Sequence, residues 1–511
     1  LCGHEECSIL PAMTPQIISR YPLKDTKNIE LTNLAATLCF PTGIKVCYSN
    51  QKEPKKIEDF VVPITNQKGE RYYMMNYHYY VAMDYDEYCH LYEIHPLKYY
   101  SQKYTIDLSY LSEEEIKIEM DKIQLNLAKC ADLASRDKVY IPFCMCLISK
   151  YPYIEEMHKC LNSIYNLLYN QHNGKKEEVN KLIMHLIHSV PIPNINCQVK
   201  FYIPYYSEGI ILSCPKVQDM NVMNTKITDL FKYFTEDKDL VLIFRLILLE
   251  KRILFLDDDY ARLSNVTDSF LNLLYPFQWT ATYIPIMSVQ LLGYLQTFLP
   301  FVNGINISLQ EYIKGVFIED QGPQKTDPLE NPPEEVFIVD ITNRQIISSS
   351  ILTKIKKLKL KDYIKENVKN IPTTLEDELL KNLKILRKEV KKNKDQDKRR
   401  ELNLKMRNIF LDMFVKMFHN YYKYMSVIDN DIEFNKELFL ENIGENDKGF
   451  YTEFFDTQLF QLFKQNFIEN ELNYFKTKAI EYDKNLDSNN SNNSKNSKNS
   501  LSPLNHSEGI I

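Results

Sequence analysis

Leu248-Leu249-Glu250-Lys251-Arg252-Ile253-Leu254-Phe255 is the stretch on which the reading of the fold turns. Leu240 to Leu249 is apolar enough to be a buried helix, and Arg252 to Leu256 has the short unbroken apolar run of a strand covered on both faces. A buried helix handing its chain directly to a buried strand is half of an α/β layer. Working outward, a helix near Val266 to Leu274 runs into Tyr275-Pro276, and Glu335 to Ile341 is a second short strand, Val-Phe-Ile-Val bounded by acids. Ser269 to Gln310 carries no charged side chain, but Pro276, Pro285 and Pro300 break it, and no apolar run within it approaches the ~20 residues of a membrane span. Helix and strand alternate, which predicts an α/β layer with this segment at its heart.

Toward the N-terminus, Thr37 to Gly43 and Phe60 to Thr65 read as strands. Asn66-Gln67-Lys68-Gly69 supplies a turn, and Arg71 to Val81 continues as a strand rich in Tyr. The aromatic residues of this hairpin read as core rather than as a docking surface. Residues 113–128 are helical in period, Val139 to Ile148 is β-like, and Ile154 to Tyr169 and Val179 to His188 are amphipathic helices.

Toward the C-terminus, composition changes after Ser350, and residues 354–480 show helical periods with few strand signals. The clearest stripe is Met406, Phe410, Met413, Phe414, Met417, Tyr421 and Met425. Lys354 to Arg407 holds 19 Lys and Arg against 9 Asp and Glu, within a chain of net charge -6. This basic segment reads as a solvated helix and linker, with an anionic lipid or acidic partner face as its functional counterpart. Asp487 to Ser500 is almost entirely Asn, Ser and Lys, which predicts a disordered tail.

The negative balance argues against general nucleic-acid binding. No G-x-G occurs; Gly444 to Gly449 has Phe450 where a P-loop needs Lys, so phosphate-cradling loops are excluded. The 11 cysteines are scattered and odd in number, which does not read as a disulfide framework. Cys2, His4 and Cys7, the C-x-C pair Cys144 and Cys146, and His185 with His188 each lack a second ligand pair at zinc-site spacing, so no metal is expected. Asp257-Asp258-Asp259 reads as a strand-exit loop of solvated acids in preference to a Mg²⁺ site. No nucleophile motif stands out. The residues thus predict no catalytic, cofactor or metal centre, and favour a protein that binds another macromolecule.

Several motifs, taken in order, resemble the tripartite DENN module. Upstream are Tyr21-Pro22, Cys39-Phe40-Pro41-Thr42-Gly43, Ile64-Thr65-Asn66 and Gly69-Glu70-Arg71-Tyr72-Tyr73. The centre begins at Leu147 to Tyr153 and is strongest at Leu248 to Phe255, with Glu250 and Arg252. It continues through Tyr275-Pro276-Phe277-Gln278-Trp279, Tyr283-Ile284-Pro285-Ile286, Pro300-Phe301-Val302-Asn303-Gly304-Ile305 and Asp340. Downstream are Phe410 to Tyr424, with Phe414 and Tyr421, and then Phe454 to Phe463, with Gln458 and Phe460. Asp257 stands where the family often carries a small hydroxyl residue, and 106–137 and 306–333 look longer or more polar than usual.

The resemblance implies an α/β, two-lobed protein: a longin-like N-terminal lobe and a larger α/β lobe with an appended α-helical region. It divides the chain into a uDENN-like part at 1–137, a cDENN-like region at 138–345 whose first ~35 residues complete the N-terminal lobe, a dDENN-like region at 346–480 and a tail at 481–511, with the lobes dividing near 172–180. It implies guanine-nucleotide exchange on a Rab-type small GTPase bound across both lobes, without a cofactor. The alternatives are a scaffold or a GTPase-activating relative using Arg245 or Arg262. It further implies a cytoplasmic protein of vesicle traffic, recruited peripherally to endomembranes. The motif residues are expected mostly to hold the fold.

Overall fold

The computed structural model describes residues 15–24, 34–48 except 45, 57–83 except 66–69, 117, 139–169, 176–216, 226–307 with gaps at 289–290, 292–294 and 296, 336–348, 368–428 except 394, 431–468 and 473–498. Expectations for Cys2, His4, Cys7, the turn at 66–69 with Gly69, and most of 84–138 and 308–335 fall outside these residues.

The first sheet is organised by strand periodicity. Helix α1 (Leu34–Cys39) and strand β1 (Cys47–Tyr48) are followed by β2 (Phe60–Thr65), β3 (Arg71–Met83) and β4 (Val139–Ser149), in the antiparallel order β1-β4-β3-β2. Alternate residues of β3 point to opposite faces. Tyr73, Met75, Tyr77 and Tyr79 enter a core closed by α2 (Ile154–Tyr169) through Met157, Cys160, Leu161, Ile164 and Leu167. Met74, Asn76 and His78 are buried on the other face. The Tyr-rich strand is therefore covered on both sides, and its aromatics are core. The same core takes Val179 and Leu182 from α3 (Lys176–Met184) and Phe201, Ile203, Ile210 and Leu212 from the hairpin β5 (Gln198–Ile203)–β6 (Tyr206–Ser213). Packing thus extends the N-terminal body to about residue 213, beyond the division expected at 172–180, because the hairpin finds its apolar partners there.

The second sheet carries the stretch that opened the reading. After α4 (Leu230–Tyr233), α5 (Asp237–Leu248) leads into β7 (Arg252–Leu256), followed by α6 (Tyr260–Asn272), β8 (Thr282–Ile284), β9 (Phe301–Ile305), β10 (Val336–Asp340) and β11 (Gln345–Ser348). The order is β11-β10-β7-β9-β8, parallel except for β11. Every residue of β7, β9 and β10 is buried, the reason β7 and β10 read as short apolar strands.

Helices complete the molecule: α7 (Thr373–Lys392), α8 (Gln396–Phe418), the hairpin β12 (Met425–Ile428)–β13 (Asp431–Phe434), α9 (Lys436–Glu441), α10 (Glu445–Phe455), α11 (Gln458–Ile468) and α12 (Asn473–Lys498). Phe277, in the loop after α6, joins this layer to the central sheet. Its ring lies 4.8 Å from Phe414, 5.1 Å from Phe454 and 4.7 Å from Phe463. Such offset and edge-on pairs each add to the area they bury.

Three expectations are corrected. Residues 34–39 are helical rather than a strand; Leu34-Ala35-Ala36 favour a helix, and the chain turns only at Gly43, whose φ of 78° suits glycine. The C-terminal region is not wholly helical, since Met425–Ile428 and Asp431–Phe434 pair as antiparallel strands. The tail expected from 481 is helical to Lys498. Phe475 and Ala479 are buried and Tyr482 packs on the core, so α12 is nucleated there and propagates into polar sequence.

Gly304 sits where β9 passes beneath the turn after β8. A Cβ there would collide with the Pro285 carbonyl oxygen and meet Leu263 Cγ at 2.9 Å. Gly304→Ala should therefore lower unfolding free energy by about 1–3 kcal/mol in chemical denaturation. Gly449→Ala, on α10 with only ordinary contacts to Lys369, should raise it by about 0.5–1 kcal/mol. Equal effects at the two positions would contradict this packing.

Candidate functional site

Helix α6 is shared by the two sheets, and its two faces differ in chemistry. Leu263, Val266 and Phe270 are fully buried in the larger core. Tyr260, Ser264, Asp268 and Asn272, spaced four apart, form a polar stripe. That stripe meets the N-terminal sheet. The Tyr260 ring stacks on Phe60 at 4.9 Å and its hydroxyl lies 3.2 Å from Thr42 Oγ1. Ser264 Oγ donates to the Val61 carbonyl. Arg71 Nη1 reaches Asp268 Oδ1 at 3.4 Å, and Asn272 Nδ2 donates to Oδ2 at 2.9 Å. The Arg71 guanidinium also lies 5.0 Å from the ring centre of Tyr283 on β8. Burial pushes the Asp268 carboxyl above its ordinary range, partly opposed by Arg71.

The carboxyl ends of the parallel strands form a second polar locus, the position where open α/β sheets commonly bind ligands. Asp257 follows β7 and is fully buried. Arg262 grips both its carboxylate oxygens, with Nε to Oδ2 at 2.6 Å, and also donates from Nη2 to Asp258 Oδ1 at 2.6 Å. The Asp259 amide donates to Asp257 Oδ1 at 2.9 Å, while Asp259 caps α6 by accepting from the Arg262 amide. Burial pushes the Asp257 carboxyl up to about 6, so it is charged against Arg262 at neutral pH. The triad is thus an ion-pair knot with a helix cap, and its acids are already engaged. Its two inward members are not the solvated loop that the sequence predicts.

The motif residues occupy distinct structural positions. Phe40 lies edge-on to His78 at 5.4 Å and Pro41 is buried beside it. Tyr73 packs in the N-terminal core. Glu250 and Arg252 do not bond each other: Arg252 Nη1 donates to the Thr297 carbonyl at 3.3 Å. Glu250, held at φ 50°, accepts from the amides of Gln458 and Leu459 at 2.9 and 2.8 Å, capping α11 from 208 residues away. Trp279 Nε1 donates to the Thr282 carbonyl at 3.2 Å. Asp340 accepts from the Asn343 amide at 2.9 Å and closes the turn from β10 to β11. Pro276 precedes Phe277 at the helical layer, Pro300 precedes β9, and Phe301, Phe414, Tyr421 and Phe460 are core. Gly444 caps α10, which gives the glycine pair there a helical role.

In the basic segment, Arg387 turns inward to Asp237 and to the Phe231 and Phe234 carbonyls at 2.9 Å, and Arg407 is fully buried with its guanidinium 5.1 Å from the Tyr275 ring centre. Lys381, Lys384, Lys388, Lys391 and Lys392 are exposed. His188 Nε2 meets Tyr21 Oη at 2.5 Å, while the ring of His185 faces Phe201. The structure also assembles a group that spacing alone missed. Cys39, at the end of α1, joins Cys144 and Cys146 of β4, with all three sulfurs within 4.8 Å of one another. The Cys39 and Cys146 sulfurs share a hydrogen bond at 3.1 Å and those of Cys144 and Cys146 one at 3.7 Å, and hydrogen bonding within the cluster holds the Cys39 thiol below its ordinary range against burial. The C-x-C pair was the sequence signal; its third member lies 105 residues before Cys144 and only the fold brings it near.

Two sheets, joined through one helix and a shared core that takes Phe60, Val62 and Met74 from the first and Ile253 and Phe255 from the second, and backed by a helical layer, define a mixed α/β module. The family model for the DENN (AEX-3) domain matches residues 140–344, and that for the uDENN domain matches residues 15–75. DENN domain-containing protein 3 of Mus musculus is 23% identical over 446 residues, 83% of this chain and 29% of that protein. DENN domain-containing protein 2D of Homo sapiens is 24% identical over 58% of this chain and 56% of its own. The Arabidopsis thaliana DENN domain and WD repeat-containing protein SCD1 is 25% identical over 33% of this chain and 14% of its own. The chain belongs to the DENN-domain family, and it spans 29% and 56% of the lengths of the first two of these relatives.

Glu250→Ala leaves two amides of α11 without their carboxylate, and should cost about 1–2 kcal/mol in thermal or denaturant unfolding. Glu250→Gln, which keeps one acceptor oxygen, should cost less. Equal losses in the two variants would remove the cap from the account of this motif residue.

Proposed function

We propose that this chain is a guanine-nucleotide exchange factor: it binds a Rab-type small GTPase across its two bodies and promotes release of GDP. Membership of the DENN family supports the partner class. The observation that carries the mechanism is the α6 seam, which holds the two sheets in one arrangement through side-chain contacts from Thr42, Phe60, Val61 and Arg71 to a single helix. The N-terminal body, a four-stranded antiparallel sheet with α2 and α3 on one face, acts as the longin-like lobe of the clamp.

Exchange of this kind needs no bond-making group. If the clamp binds the empty GTPase more tightly than the occupied one, nucleotide affinity falls by the same factor, because binding linkage is reciprocal. A 10⁵-fold loosening requires about 7 kcal/mol of preference, which one standard-sized interface can supply. The preference arises where contacts with the clamp draw a switch segment away from Mg²⁺ and phosphate. The arginines argue against activation of hydrolysis. Arg262 is engaged by Asp257 and Asp258, and Arg245 is buried, donating to Asn370 with Glu376 3.9 Å away. Neither is free to enter another protein's active centre as a finger. Among the described residues no helix is long and apolar enough to cross a membrane. The protein works in the cytoplasm, and the exposed lysines of α7 serve for recruitment to vesicle or endomembrane surfaces.

Rabs loaded with a fluorescent guanine nucleotide and mixed with the purified chain test this reading. At least one should release its nucleotide faster by a factor of 10 or more, on the order of 1.4 kcal/mol of preference. Arg71→Ala, which loosens the seam, should lower that rate without abolishing folding. Faster phosphate production without faster release, or binding with neither effect, would overturn exchange.

A further inference from the structure

Cys144 and Cys146 lie two apart on β4, so both side chains leave the same face with their Cα atoms roughly 6.5–7 Å apart. Their sulfurs are nonetheless only 3.7 Å apart, and Cys39 Sγ lies 3.1 Å from Cys146 Sγ. The two strand thiols therefore lean together toward the thiol on α1. An ion bonded to sulfur at about 2.3 Å holds its thiolates roughly 3.8–4.0 Å apart, whereas a disulfide needs about 2.05 Å. The 3.7 Å separation matches the former; the 3.1 Å pair lies between the two values, about 1 Å too long for a disulfide, and all three sulfurs lie inside 4.8 Å.

The surroundings suit a soft cation. Cys39 is buried, Cys144 half-buried and Cys146 exposed, so the group is anchored on the inside and open on the outside. The end of α1 is fixed by a 2.9 Å hydrogen bond between His78 Nε2 and the Cys39 carbonyl, and Asn76 Oδ1 stands 3.8 Å from Cys39 Sγ. Asn76 and His78 are the residues paired with Cys146 and Cys144 on β3, so the supporting groups come from the neighbouring strand. His78 thus fixes the backbone that carries Cys39, while Asn76 Oδ1 accepts from the Cys39 thiol, a bond given up when that thiol loses its proton on metal binding.

We propose that Cys39, Cys144 and Cys146 form a three-thiolate binding site for a thiophilic d¹⁰ cation, zinc above all, with its fourth position open to solvent beside Cys146. Binding forms three S–Zn bonds and releases the thiol protons to water, with no change of oxidation state. The fourth ligand is then water or a donor from an approaching partner. Because Cys39 ends α1 while Cys144 and Cys146 lie on β4, the ion ties the helix to the sheet.

The test uses the full chain, purified reduced and stripped with chelator, then titrated with Zn²⁺ against a chromophoric competitor and with Co²⁺ as a spectroscopic probe. One equivalent should bind, with thiolate-to-cobalt charge-transfer absorption and a rise in melting temperature on Zn²⁺ addition. Cys146→Ser, at the exposed position, should weaken binding by more than the roughly 10–100-fold typical of losing an outer partner. Cys144→Ser should do the same, and Cys197→Ser, exposed but outside the cluster, should leave binding unchanged. Circular dichroism of the stripped variants checks that each is folded. No stoichiometric uptake by the wild type, uptake indifferent to Cys146→Ser and Cys144→Ser, or a Cys39–Cys146 disulfide in a chain that takes up no ion would each overturn the assignment.

Discussion

The molecule depends on helix α6 satisfying two sheets at once. Toward the parallel sheet it offers Leu263, Val266 and Phe270, all fully buried, and gains from burial of apolar area. Toward the N-terminal sheet it offers Tyr260, Ser264, Asp268 and Asn272, which gain nothing unless each finds a partner. Arg71 and Asn272 serve Asp268, the Val61 carbonyl serves Ser264, and Thr42 with Phe60 serve Tyr260. An apolar seam tolerates small slides between the sheets. A stripe of directional bonds spaced four residues apart does not, because a shift of one turn would leave buried polar groups unmatched.

That distinction bears on the exchange activity proposed above. Under that proposal, a protein that lowers another's affinity for its nucleotide must resist deformation, since the work comes from the difference between two bound states of the partner. If the two bodies moved freely, each would follow the partner and the difference would shrink. The helical layer adds to the stiffness from the opposite side. Phe277 is surrounded by Phe414, Phe418, Phe454 and Phe463, and Glu250 ties the end of α5 to the start of α11. These motif residues make their contacts within the structure.

Much of this was legible in the sequence. The buried strands β7 and β10 follow from unbroken apolar runs between acids and turns, and α5 from its continuous apolar character. The Tyr-rich β3 was legible as core because period two places Tyr73, Tyr77 and Tyr79 on one face. What could not be read was decided by distant partners. The hairpin β5–β6 carries its alternation only at Phe201, Ile203, Ile210 and Leu212, with exposed Tyr202 and Ile211 between them, and its attachment to the N-terminal core is tertiary. Local composition predicted solvated acids at 257–259, whereas Arg262, one turn into α6, draws Asp257 inside. Glu250 shows no sign in sequence that its carboxylate serves amides 208 residues on.

The thiol cluster and the seam converge on one short segment. Cys39 faces Cys144 and Cys146 on β4, its carbonyl holds His78 on β3, Phe40 packs edge-on against the same His78, and Thr42 reaches Tyr260 on α6. Between them Gly43, at positive φ, donates its amide back to the Phe40 carbonyl at 2.9 Å and closes the turn. Five consecutive residues thus touch two strands of one sheet and the helix that belongs to the other. A short turn so placed has little freedom to vary, because Cys39, Phe40 and Thr42 answer to three different elements. This accounts for a motif at Cys39 to Gly43 without assigning it a partner. It also means that whatever ties Cys39 to β4 acts on the contact between Thr42 and α6, and so on the spacing of the two bodies.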